Sequence, residues 1–591
     1  MTLGTHVPPD VDEVTAAVRT ALGHQPGTVL FTHARIVNVI TGDIQEGAVL
    51  LAGRLIAGVG DVVSAAAAGE EVDLEGRWLA PGLIDGHAHL ESSLITPGEY
   101  ARAVVPRGVT GVVCDPHEIA NVSGVDGIRW FLRASDGLPL DVWIGVPSCV
   151  PASPLETSGA RVGPAEIASF LDDPRVVGVA EVMDFPGVLA AQEEVLRKAL
   201  LAEMFRKVSD GHAPLVRGLS LQAYLSAGIL SDHETTSAEE GLEKLRAGCF
   251  LMIREGSTTR NLNALASLVH TRHADRIGFV TDDRLPNDLL DEGGVDVLVR
   301  EAIRQRVDPV LAVRCATWNT ARHFALRRRG AIAPGYFADL VVLDDLEGYR
   351  AAAVYKDGRR VAERGRLLVD LPAPPAAGGA VRDTVRLPPL STASLRVAAP
   401  PGPVRCIKLV PSQILTQLAW ITPLLRDGEI APDPARDIAK LACVERHGRR
   451  GTVGVGLVTG FGLQRGALAS TVAHDHHNLI AVGTADDDIL IASRRLEEMG
   501  GGLVAAAGGR VLADLPLPIA GLISDQRLPE VRARLDRLDG AARSLGVRIP
   551  FPFMTLSFLG LAVIPELRLT DLGLVDVMAG RLVPLGTDGD R

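Results

Sequence analysis

The chain has 591 residues, 47% of them hydrophobic and 22% charged, with a formal net charge of −12. That length and composition argue against a disordered or fibrous chain and imply two or three domains. The acidic balance, without long Lys/Arg runs, argues against a nucleic-acid backbone as partner, and no apolar stretch reaches the ~20 residues a membrane helix needs.

Residues 1–80 are expected to hold an N-terminal helix and the first part of a small β-sandwich. Within 29–60 the β-branched runs of VLFTHARIVNVITGDIQEGAVLLAGRLIAGVG are broken by Thr-Gly-Asp and Ala-Gly-Arg, the punctuation of hairpins. The same texture returns in AIAPGYFADLVVLDDL and AAAVYKDGRRV, so residues 328–370 read as the second part of the sandwich and residues 81–327 as an insertion between the two. The insertion alternates strand-like runs with amphipathic helices such as AEEGLEKLRAG. Eight such runs (GLIDGHAH, VTGVVCDPHE, LDVWIGVPSCV, VVGVAEVMDF, VSDGHAP, AGILSDHETT, CFLMIREGS and RIGFVTDDR) predict a TIM-type (β/α)8 barrel of the α/β class. An open doubly wound sheet shares the alternation, but the count of units and the polar residues at the run ends favour the barrel. Pro- and Ala-rich residues 371–403 read as a linker, and residues 404–591 as a C-terminal α+β domain whose strand order is not legible.

The first run ends in Asp85-Gly86-His87-Ala88-His89, and alternate strand residues share a face, so His87 and His89 point together into the barrel mouth. Glu181, His212, His233 and Asp282 each end a later run. Barrels place their active sites at that rim, so these six converge into a set of imidazoles and carboxylates suited to two divalent ions, with Glu181 bridging. Such a pair polarises the substrate and lowers the pKa of a shared water towards neutrality. Each residue alone has a plain alternative, a hydrogen-bonded core histidine or a helix-capping Asp; six together on matching strand ends do not. Six cysteines without a C-x-x-C pair offer neither a thiolate zinc site nor a disulfide framework. The N-terminus lacks the basic start and apolar run of a signal peptide, and the cytoplasm is the expected compartment.

The stretches PGLIDGHAHLESS, DPHEIANVSG, VPSCVPASPLETSGA, DGHAPLVRG, SDHETTS, REGSTTRN and VTDDRLPNDLL, then GAIAPGYFADLVVLDD, HDHHNLIAVGT, LPLPIAGLISDQ and PFMTLSFLGLAVIPELRLTDLGLVDV, resemble the adenine deaminases of the amidohydrolase superfamily along nearly the whole chain. The H-x-H and the Asp on the last strand are shared across the superfamily, whereas DPHEIANV and the C-terminal stretches look particular to adenine deaminases. The resemblance implies two divalent ions, manganese or iron with zinc as a further option, a role in purine salvage, and a homodimer. Two departures stand out. Strand four offers Glu181 where many superfamily members carry a carboxylated lysine, a feature adenine deaminases share, and HDHHN replaces the expected HDSHN, placing His476 where a small polar residue is usual.

The expected reaction is hydrolytic deamination of adenine to hypoxanthine and ammonia. Asp282 would accept the water's proton and pass it on, His233 would be a ligand or stabilise the developing oxyanion, and Asp283 and Glu118 would meet the purine ring nitrogens. For these last two, the plain alternatives are pairing of Asp283 with Arg284 and a capping role for Glu118. The cluster His474-Asp475-His476-His477 could bind a metal, but a solvated turn explains it at least as well, and it is left outside the site. Another amidohydrolase activity, on a cyclic amide or a different aminopurine, and an inactive scaffold remain the competing readings.

Overall fold

Short parallel strands alternating with helices between residues 83 and 283 set the position of every candidate site residue in the first two-thirds of the chain. The computed structural model describes residues 7–411 and 413–587. The strands are β1 Leu83–His89, β2 Val109–Cys114, β3 Asp141–Val146, β4 Val176–Val182, β5 Val208–Gly211, β6 Ser231–Asp232, β7 Phe250–Arg254 and β8 Ile277–Val280. Most of their residues are buried, because the lumen covers one face and helices the other. Parallel ladders join β1 through β5 and β6 through β8. Beyond β8, Asp282 pairs with Ala88 and Asp283 with His89, which closes the barrel on β1. Between β5 and β6 the Gly211 N–H donates to Ser231 Oγ at 3.1 Å, so side chains complete the seam. This eight-stranded parallel barrel is the one the eight runs predict.

The helix drawn from AEEGLEKLRAG spans Ala238–Arg246; Ser237 caps it by accepting from the Glu240 N–H, and Gly248 follows it at φ 94°. Its Lys244 is buried, with Nζ 3.0 Å from Asp232 Oδ2 and 2.7 Å from Glu240 Oε1. The end of β6, just before His233, is thereby fixed.

Flanking segments Gly27–Asn38, Asp43–Ala52, Leu55–Val59, Ala68–Asp73 and Trp78–Pro81 join Leu340–Asp345, Arg350–Lys356, Arg359–Glu363 and Arg366–Leu367 in one nine-stranded mixed sheet. The join is antiparallel, Leu340 opposite Pro81. Phe31 and Tyr355 lie three strands apart, about 14 Å on a flat sheet, yet their rings meet edge-on at 5.0 Å, so the sheet folds over its own core. At the barrel's N-terminal end, buried Lys356 and Arg329 lock this sheet to Asp141 at the start of β3, at 2.7 and 3.1 Å.

Residues 371–403 are largely irregular, with one short helical turn at Thr392–Leu395, and touch the barrel where the Pro375 carbonyl accepts from Trp130 Nε1 at 3.3 Å. Beyond them an eight-stranded mixed sheet packs against helices Asp486–Glu498 and Leu528–Ser544. Two of its inner strands, Ala467–Ser470 and Leu479–Gly483, pair antiparallel. The loop joining them, residues 471–478, carries HDHH and reaches the barrel mouth.

Candidate active site

The H-x-H motif works as a pair because each ring has one nitrogen committed elsewhere. His89 Nδ1 lies 3.0 Å from the Asp115 carbonyl oxygen, which only accepts, so Nδ1 carries the proton. His87 Nδ1 is likewise committed to Asp210 Oδ2 at 2.9 Å. The two Nε2 atoms then face each other at 3.2 Å. Two lone pairs at that distance repel unless a cation lies against them, and carboxylate or carbonyl support behind a histidine is the usual arrangement around a metal.

Glu181, at the end of β4, spans the mouth. Its Oε1 is 3.3 Å from His89 Nε2 and 3.9 Å from His87 Nε2, while Oε2 is 2.6 Å from His212 Nδ1 and 3.3 Å from His233 Nε2. Asp282 Oδ1 closes the first side, 3.1 Å from His89 Nε2 and 3.8 Å from His87 Nε2. The His233 ring stacks on His87 with centroids 4.1 Å apart. The structure thus brings His87, His89, Glu181, His212, His233 and Asp282 together as two donor groups sharing one carboxylate, and the donor set fits two divalent ions.

Electrostatics point the same way. Burial would raise the Glu181 and Asp282 carboxyls; His212 and His233 around the first, and Arg254 with His89 around the second, outweigh it and hold both well below the usual range. Burial disfavours charged imidazole, yet Glu181 with Asp282 lifts His89 well above its ordinary value, and Glu181 lifts His233 to about 9. A proton and a divalent ion compete for such lone pairs. Asp282 has φ 60°, a conformation that non-glycine residues hold only where the surroundings enforce it.

The two weaker candidates also reach this cluster. Asp283 does not pair with Arg284, whose guanidinium instead bonds Glu292 Oε2 at 2.9 Å and the Gly293 carbonyl at 3.1 Å. Asp283 Oδ1 takes the Ser92 hydroxyl at 2.5 Å, and burial followed by the neighbouring Asp282 charge raises its carboxyl. Glu118 caps nothing. It lies in the first turn of the helix His117–Ala134, 3.6 Å from His117 Nε2, and its oxygens meet His474 Nδ1 at 2.6 Å and His477 Nε2. Against the burial that would raise it, these histidines hold its carboxyl well below the ordinary value.

The reading of HDHH as a solvated turn is corrected: His474, Asp475, His476 and His477 are all buried. The sequence sees the turn and its polarity but not the barrel mouth docked over it. His476 fits because Gly560 has no side chain; a Cβ there would lie 2.6 Å from His476 Nε2. Sequence reasoning also missed His117, whose Nδ1 sits 3.1 Å from Asp115 Oδ2 and 3.5 Å from Glu181 Oε1. It ends the second run, so the strand-end rule could have found it. Arg254, at the end of β7, was missed as well; its Nη1 lies 2.7 Å from Asp282 Oδ2, and Glu234 takes both its Nη atoms.

Comparison with known proteins agrees with this geometry. Residues 78–362 match the amidohydrolase family and residues 413–581 the adenine deaminase C-terminal domain. An adenine deaminase of Desulfatibacillum aliphaticivorans is 48% identical over 574 residues, which cover 97% of this chain and 99% of that protein. Adenine deaminase 2 of Carboxydothermus hydrogenoformans is 46% identical over 569 residues, covering 96% and 98%. The chain belongs to the adenine deaminase family. As a family member with an amidohydrolase barrel it is a metal-dependent hydrolase, and the His/carboxylate cluster at the mouth is a candidate set of metal ligands.

Proposed function

We propose that this chain deaminates adenine to hypoxanthine and ammonia, in purine salvage, with a pair of manganese or iron(II) ions held by His87, His89, Glu181, His212, His233 and Asp282. The observation that carries the reading is Glu181, whose two oxygens divide between the His87/His89 side and the His212/His233 side. Near-full-length relatives named adenine deaminase support the substrate, and six buried free cysteines suit a reducing, cytoplasmic setting.

The bound ions would supply electrophilic polarisation and an acidified water. The residues of the chain do the rest. Asp282 Oδ2 accepts one hydrogen bond from Arg254, which fixes the carboxylate plane and leaves a second lone pair to take the proton of the attacking water. The same oxygen returns that proton to the departing amine, so water is consumed and ammonia leaves as the C6–N6 bond breaks. Asp283, with Oδ1 taken by Ser92 and its carboxyl raised by burial, donates a proton from Oδ2 to ring nitrogen N1 and regains one from the C6 hydroxyl as the carbonyl forms. Glu118, ionised between two histidines, accepts a purine N–H. His233 Nε2, beside Glu181 Oε2, serves as an ion ligand, and stabilising charge on the C6 oxygen is its alternative role.

The test incubates manganese-loaded protein with adenine, adenosine, guanine and dihydroorotate, following ammonia and ring opening. Ammonia from adenine alone is the expected result. Hydrolysis of dihydroorotate alone would replace this reading with a cyclic-amide hydrolase.

A further inference from the structure

Glu118 lies in the barrel and His477 in the C-terminal domain, 359 positions apart, yet the His477 Nε2 meets Glu118 Oε2 and His474 Nδ1 lies 2.6 Å from Glu118 Oε1. The three side chains are buried and close enough for their ligand atoms to surround a cation. The hydrogen bonding decides against a metal here. His477 Nδ1 accepts from the Ala473 N–H at 3.2 Å, so Nδ1 has no proton, and the neutral ring must carry its proton on Nε2. That Nε2–H donates to Glu118 and has no lone pair for an ion.

The loop is built to hold this donor still. The His477 N–H donates to the Ala473 carbonyl at 2.7 Å, and its own carbonyl accepts from Nε of Arg446, a fully buried side chain whose Nη2 donates to the Ala520 carbonyl at 2.9 Å. His477 itself sits at φ 48°, where few non-glycine residues stay without such support. His474 stacks on Phe558 with centroids 4.9 Å apart and its N–H donates to Ser557 Oγ at 3.2 Å. Both strands entering the loop belong to the interior of the C-terminal sheet. A carboxylate on the first turn of a helix is thus gripped on both oxygens by a second domain.

We propose that the C-terminal domain completes the active centre, with His477 and His474 as positioning residues that hold the Glu118 carboxylate where it meets the purine. This rests on the reading of Glu118 as a substrate contact. A 1 Å misplacement of such a group costs about 10²-fold in rate.

The test compares His477→Leu with His477→Gln, whose amide can still donate to Glu118. Expected for His477→Leu is a loss of about 10²-fold in kcat/KM, with two ions per chain and the melting temperature retained. His477→Gln should recover most of the loss. In a Glu118→Gln background, His477→Leu should add less than about 2-fold, because both changes remove one interaction. Additive losses, or a Gln variant as poor as Leu, would overturn the proposal. If the wild type does not act on adenine, the functional reading fails, and ¹⁵N-histidine NMR of the zinc-loaded protein still decides the geometry. The expected spectrum shows His477 as the Nε2–H tautomer, its signal shifting in Glu118→Gln. A third zinc bound through His477 Nε2, or the other tautomer, contradicts it.

Discussion

The two ends of the barrel bury charge in opposite ways. At the N-terminal end Lys356 and Arg329 lie among Asp141, Asp339 and Asp357, each carboxylate within 3.2 Å of a permanent cation. At the C-terminal mouth Glu181, Asp282, Asp210, Asp115 and Glu118 face histidines, with Arg254 the only Lys or Arg side chain paired to them among the described residues. In the first network each carboxylate has a Lys or Arg of the chain beside it, and the network ties sheet to barrel. The second has acceptors in excess and two imidazole lone pairs 3.2 Å apart, which a proton or a metal must reconcile. Burial is common to both; what separates structure from site is whether the chain supplies its own counter-charge.

Changes at either end test that contrast. Asp282→Asn keeps a coordinating oxygen but cannot shuttle a proton, so kcat for adenine should fall by about 10²–10⁴-fold with the fold intact by circular dichroism; turnover like wild type would remove Asp282 from the chemistry. At the other end Lys356→Met leaves Asp141 and Asp339 short of a cation, which should cost about 3–5 kcal/mol in denaturant unfolding while metal content per folded chain stays the same. If this variant instead loses metal, the two ends are coupled and the contrast fails. Glu181→Gln weakens the shared ligand, and elemental analysis should find metal affinity reduced at least about 10-fold; full occupancy by two tightly held ions would contradict bridging.

The smallest effect concerns acid. His323, stacked on Phe250 at 4.2 Å near the N-terminal end of β7, is pushed down by burial to about 4. Between about 6.5 and 4 the unfolded chain binds a proton there that the folded one does not, so stability present above that window is lost as pH falls through it. His323→Phe keeps the stack and should recover about 1–2 kcal/mol at pH 5, read as a shallower fall of melting temperature with acid. An unchanged acid slope would place the titration elsewhere.

Much of this was legible in the sequence because a barrel converts strand order into position. A residue ending a run must sit at the mouth, so His87, His89, Glu181, His212, His233 and Asp282 could be gathered without knowing any distance. Arg254 ends a run as well, but its guanidinium is not a metal ligand and was passed over. Asp210 was hidden by His212, two residues on, which drew attention as the ligand. His474 and His477 were beyond this logic. Their burial comes from one domain docking on another, and nothing in a polar HDHH turn distinguishes an exposed loop from one capped by a neighbouring barrel. The strand order of the C-terminal sheet was illegible for a related reason: its neighbours are far apart in the chain, as where Val404–Leu409 pairs with Val453–Thr459.

The central claim, that the mouth holds a cation pair across Glu181, is tested most directly by electron paramagnetic resonance of the manganese-loaded chain together with its metal content. Two ions about 3.5–4 Å apart should give two manganese per chain and an exchange-coupled spectrum that reverts to an isolated six-line signal in Glu181→Gln. One manganese per chain with an isolated spectrum in the wild type would contradict it.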